Sequence, residues 1–252
     1  MSKLGLQLFV ILLTAHFIGD FLLQSDKTAD KKRNFYILTK HSLIIALLSY
    51  LMCGIWEGWE ILAAVFISHT AIDYIKERFL KKNALFFLLD QGLHIAILWI
   101  IAFTISSCNS FSLFWVNLIG NDLLLVFLVI AGAVASIKAG SVLIGLAVEP
   151  FLEEIENHYK KMFSEEESPH RGLKDGGNVI GQLERGLIFI FVLMGHPEGI
   201  GFLIAAKSIF RFGELKEAKF RMEAEYIIIG TLMSFGYSII IAYATKYLLG
   251  FV

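Results

Sequence analysis

A chain of 252 residues that is 56% hydrophobic and only 18% charged departs from soluble domains, which run about 45–50% apolar and about 25% charged. A net charge of -1 leaves no electrostatic footprint for nucleic acid, and two cysteines without CxxC spacing exclude a disulfide framework or a thiolate metal site. The composition is that of an all-α, polytopic transmembrane helix bundle, expected in a bacterial inner (cytoplasmic) membrane, with membrane lipid as its surroundings.

The first apolar run, Leu4 to Leu13, is preceded only by Lys3 and leads into His16 and Asp20 without a small-residue cleavage site. It reads as a retained membrane helix rather than a signal peptide. About 20 mostly apolar residues cross a bilayer, and cutting at the charged and Gly/Pro clusters predicts eight spans. They are Leu4–Gln24, Phe35–Trp56, Gly58–Lys76, Ala84–Ile105, Asp122–Ala147, Val179–Gly195, Gly199–Phe212 and Tyr226–Leu249. The seventh is the shortest, so seven spans is the alternative.

Lys and Arg concentrate in every other connection: Lys27, Lys31, Lys32 and Arg33; Arg78, Lys81 and Lys82; Lys160, Lys161, Arg171 and Lys174; Lys216, Lys219 and Arg221. The connections between have neither residue, and because cytoplasmic loops are the basic ones, both termini are expected outside. Trp56, Trp59 and Trp115 fall at the outer interface on this scheme, where tryptophan is enriched. The expected organisation is a four-span half over 1–105, an external interfacial segment over 106–121, and a four-span half over 122–252. Its cytoplasmic loop at 149–178 begins with an amphipathic helix, Phe151–Phe163. Span five carries Gly132, Ser136 and Gly140 in a small-xxx-small ladder, and its Lys138 needs a carboxylate or a polar cavity. No proline lies inside a predicted span.

Ionisable groups within a bilayer are costly and mark function by default. Span one carries His16 and Asp20, span two His41, span three His69 and Asp73, span four Asp90 and His94. Three His/Asp pairs are spaced i, i+4, which sets both members on one helix face. At about 1.5 Å per residue, and with neighbouring spans antiparallel, all seven lie about 5–15 Å from the cytoplasmic end. One reading is interhelical hydrogen bonding that only holds the bundle together. The other is a metal or proton-handling site, in which His16, His41, His69 and His94 ligate a divalent transition metal such as Zn, Mn or Fe and Asp20, Asp73 and Asp90 are the catalytic carboxylates. Arg185, Lys207 and Arg211 share the same depth in the second half beside the Gly176-Gly177-Asn178 helix start, an arrangement that favours an anion; an ion-pair network with glutamates is the alternative.

The motifs His16-Phe-Ile-Gly-Asp20-Phe-Leu-Leu-Gln24, Lys40-His41, His69-Thr-Ala-Ile-Asp73 with Lys76, and Asp90-Gln-Gly-Leu-His94 together resemble a family of bacterial membrane proteins defined by a domain of unknown function. That resemblance covers about the first 105 residues, and Ile180–Arg185 with Ala205–Phe212 resembles the C-terminal half of longer members. Lys40-His41-Ser42 and His69–Asp73 are also similar to motifs of membrane-bound metal-dependent hydrolases, although the longer His-Arg-Gly…Thr-His-Ser signature is absent. Residues and resemblance together lead to an expected metal-dependent hydrolase acting on a lipid or isoprenoid phosphate from the cytoplasmic side. The alternatives are a metal-ion or proton-coupled transporter and a non-catalytic membrane scaffold.

Overall fold

The computed structural model describes residues 3–24, 32–108, 112–162, 175–211 and 221–251, with all their side chains except those of 159–162, 210, 211 and 221. Every regular element among the described residues is helical. In chain order these are α1 (Lys3–Phe21), α2 (Phe35–Cys53), α3 (Trp59–Phe79), α4 (Ala84–Cys108), a short α5 (Phe114–Ile119), α6 (Asp122–Val134), a π-helical turn (Ala135–Ala139), α7 (Gly140–Met162), α8 (Gly176–Met194), α9 (Glu198–Arg211) and α10 (Arg221–Leu249).

Among the described residues, six helical stretches are long and apolar enough to cross a membrane: α1, α2, α4, the continuous run Asp122–His158, α8, and Met222–Leu249. Two predicted spans fall short of that measure. Helix α3 carries Glu60, Asp73, Lys76, Glu77 and Arg78, and the 14 residues of α9 reach only about 21 Å at about 1.5 Å per residue. Many large apolar side chains on these helices point outward, among them Leu43, Leu47, Leu51, Ile100, Phe103 and Ile240. This outward face suits lipid contact, because acyl chains are as apolar as leucine.

The chain forms two compact units, 1–135 with 247–252, and 136–246. In the first, α1 is the central helix. It packs against α2, α4 and α6, and 61% of its span is buried, against 33% for α2 and 28% for α4. Leu8, Ile11, Leu12, Ile45, Ile61, Val65, Leu98 and Leu124 form the apolar end of this core. Gly19 lets α2 come close, because a Cβ there would run into the Ile45 side chain. Thr14 Oγ1 donates to Phe127 O at 3.0 Å, tying α1 to α6. Asn34 caps α2 by accepting from Tyr36 N at 2.9 Å, and Gly54 ends it at φ 62°, a left-handed conformation that glycine adopts without penalty. Short α5 lies over that turn, with Trp115 Nε1 donating to Leu51 O at 2.8 Å.

In the second unit α8 packs against α7 and α9, around a core that includes Ile188, Phe189, Val192 and Phe235. Two features depart from the sequence reading. The fifth span contains the π turn Ala135–Ala139, and α7 continues through Pro150 to Met162. The Phe151–Phe163 segment therefore starts as an extension of the span rather than as a separate helix, and a proline does lie inside this helix. Proline removes a backbone donor and crowds the carbonyl four residues earlier, yet the helix continues past it.

A buried His/Asp centre in the first unit

Consecutive helices of the first unit run antiparallel, so the C-terminal parts of α1 and α3 and the N-terminal parts of α2 and α4 share one end of the bundle. His16 and Asp20, His41, His69 and Asp73, and Asp90 and His94 all meet there. None is more than 9% exposed. The ring centroids of His16 and His94 are 4.9 Å apart and those of His69 and His94 4.5 Å, so α1, α3 and α4 contribute to one cluster.

At its middle are two imidazole nitrogens and two carboxylate oxygens. His41 Nε2 lies 2.9 Å from Asp20 Oδ1 and 3.9 Å from Asp73 Oδ2. His69 Nε2 lies 3.4 Å from Asp20 Oδ1 and 3.5 Å from Asp73 Oδ2, and the two nitrogens face each other at 3.3 Å. Two lone pairs, or two N–H groups, repel at that distance; a proton or a cation between them relieves it. A tetrahedral ion with ligands at about 2.0–2.2 Å separates them from one another by about 3.3–3.6 Å. The five separations scatter around that value. The four atoms would thus suit a single tetrahedral ion.

His16 is differently placed. Gln91 Nε2 donates to Asp90 Oδ2 at 3.2 Å, which turns Gln91 Oε1 toward His16 Nε2 at 3.3 Å. That ring nitrogen is then an N–H donor, and His16 orients the neighbouring groups while this bond holds. His94 Nδ1 donates to Asp90 O at 2.9 Å, which leaves its Nε2 as the lone-pair nitrogen, the tautomer that ligates metals.

Two lysines complete the centre. Lys32 Nζ donates to Asp73 Oδ2 at 2.5 Å and is itself only 3% exposed; Lys76 Nζ donates to Asp90 Oδ2 at 2.8 Å. Lys32 and Gln91 were not singled out from the sequence. Lys32 lies in a basic connection and reads as cytoplasmic loop charge, and an uncharged amide gives no hydropathy signal.

The second unit has its own buried polar group. Arg185, 2% exposed, donates to Ser234 Oγ at 2.8 Å, to Ser141 Oγ at 2.5 Å and to Ile137 O, in the π turn, at 3.2 Å. Among the described residues no carboxylate forms an ion pair with it. Lys207 is instead paired with Glu184 at 2.8 Å, and the side chain of Arg211 lies outside the described residues. Lys138 meets an amide rather than a carboxylate, donating to Gln182 Oε1 at 2.9 Å. Ser136 and Ser238 bond at 2.8 Å, pinning the small-residue ladder to α10.

The fold and this centre define an all-α, polytopic membrane protein with, among the described residues, three overlapping buried groups that suit a divalent transition metal: His16/Asp20/His69, His41/His69/Asp73 and Asp73/Asp90/His94. Residues 8–119, from within α1 to the end of α5, match a family described as "Protein of unknown function (DUF3307)". All seven His and Asp residues of the centre fall within that match. No curated protein and no solved structure matches the chain.

Proposed function

We propose that this chain is a metal-dependent hydrolase of a bacterial inner membrane that acts on a lipid or isoprenoid phosphate from the cytoplasmic side. The observation that carries this reading is the set of four donor atoms on His41, His69, Asp20 and Asp73, spaced as ligands of one ion at the end of the bundle. A divalent ion bound in this cluster with one coordination position open would supply Lewis-acid polarisation of a phosphoryl oxygen and lower the pKa of water toward about 7.

The chain's own residues do the rest. His16 and Gln91 hold the ring planes and the Asp90 carboxylate in register. An aspartate oxygen accepts the proton of the attacking water. Lys32 and Lys76 occupy carboxylates that a cation also seeks, and when displaced they neutralise phosphate charge. A site near one end of a bundle with outward apolar faces suits a substrate whose tail stays in the bilayer. Metal analysis of detergent-purified protein beside phosphate release from isoprenoid and diacylglycerol phosphates tests this. Wild type is expected to contain a transition metal, and His69→Ala to lose it together with activity by about 100-fold or more. Metal uptake into proteoliposomes that His69→Ala abolishes, with no hydrolysis, would overturn the enzyme in favour of a transporter.

The proposed topology is eight spans with both termini external, α3 and α9 crossing despite their charge and length because they pack against more apolar neighbours. A reporter fused after Ser164 is expected to report cytoplasm, and one fused within Ser106–Asn109 the exterior. Reversed signals would put the centre at the outer face and remove the cytoplasmic substrate.

A further inference from the structure

The four-donor set leaves one question of chemistry open. A tetrahedral ion with four protein ligands is closed, whereas catalytic ions keep a position for water or substrate. Beside that set, three buried atoms have no hydrogen-bond partner among the described residues: Asp73 Oδ1, Asp90 Oδ1 and His94 Nε2. Each belongs to a residue whose other polar atoms are engaged. Asp73 Oδ2 takes Lys32, Asp90 Oδ2 takes Lys76 and Gln91, and His94 Nδ1 donates to Asp90 O. Asp90 Oδ1 is 3.6 Å from His94 Nδ1, beyond a hydrogen bond. A buried polar atom left unpaired costs about 1–3 kcal/mol, and more when charged. Three in one place, on residues whose donor atoms gather within 4.8 Å, call for a common partner, and for two carboxylate oxygens and an imidazole lone pair that partner is a cation.

We propose a second metal position, held by Asp73, Asp90 and His94, with Asp73 bridging the two ions through its two oxygens. This rests on the metal-dependent reading above and assigns the open position to the second ion: three protein ligands, two oxygens and one nitrogen, leave room for a phosphoryl oxygen. Two-metal sites with ions about 3.5–4 Å apart clamp the attacking and leaving oxygens of phosphoryl displacement.

Charge decides the order of filling. Three carboxylates stand against the ammonium groups of Lys32 and Lys76, so the first divalent ion already makes the centre cationic. The second therefore binds more weakly and is drawn in by a phosphate.

The test is a manganese titration of the purified full chain in detergent, read by metal analysis and electron paramagnetic resonance, with and without inorganic phosphate. Wild type is expected to bind one ion tightly and a second at higher concentration. Phosphate should strengthen the second step, and the spectrum should change to that of an exchange-coupled pair. His94→Gln and Asp90→Asn, conservative in volume, should keep the first ion and lose the second with its coupling. Saturation at one uncoupled ion in wild type with phosphate present would overturn the second position while leaving the first centre standing. Persistence of the coupled pair in both variants would overturn the ligand assignment. No bound ion at all would remove both this position and the metal-dependent reading.

Discussion

Asp73→Ala is expected to destabilise the protein by about 3–5 kcal/mol, the cost of removing one partner from a buried ion pair. Asp73 is fully buried and receives the Lys32 ammonium at 2.5 Å, with Lys32 only 3% exposed. Without the carboxylate, that buried ammonium loses its hydrogen-bond partner. Lys32→Met is expected to rescue much of the loss, because it removes the stranded charge and keeps the apolar stem. Thermal and denaturant unfolding of wild type, both single variants and the double variant measure the coupling directly. An Asp73→Ala protein that unfolds like wild type, or a double variant no better than the single, would show that Lys32 does not depend on Asp73.

Removing metal with a chelator should have an effect of similar size. An ion that binds the folded state alone stabilises by about 4 kcal/mol at a thousandfold excess over its Kd, and its four donors come from α1, α2 and α3, so no short segment can hold it after unfolding. Adding zinc or manganese back is expected to restore the unfolding midpoint; magnesium, which favours an octahedral shell of oxygens, should restore little. Lys32→Met sharpens this. The ammonium and an ion compete for Asp73, so the variant should be destabilised when metal-free and close to wild type when loaded. Unfolding that is indifferent to chelation would remove the ion from the centre and leave an interhelical hydrogen-bond network in its place.

Much of the centre was legible from the chain alone. His16, Asp20, His41, His69, Asp73, Asp90 and His94 stand out because ionisable groups are rare within apolar runs. Their i, i+4 pairing sets them on single helix faces, and alternating helix direction brings those faces to the same end. Gly132, Ser136 and Gly140 likewise marked a face on which neighbours pack closely, and all three are buried.

The partners were not legible, because a side chain's partner depends on which helices touch. Lys32 becomes a buried counter-ion only because it meets Asp73 of α3. Gln91 acquires its role by standing between α1 and Asp90. Arg185 finds hydroxyls on α7 and α10 rather than the carboxylates its sequence neighbourhood offers, while neighbouring Glu184 goes to Lys207. The π turn at Ala135–Ala139 leaves no mark in a long, mostly apolar run without proline. Helical periodicity and the cost of charge in lipid are local or one-dimensional, so the residue order determined the helices, the membrane class and the layer of polar groups. Only tertiary packing determined which atoms in that layer lie within 3–4 Å of each other, and with that whether the layer can hold an ion.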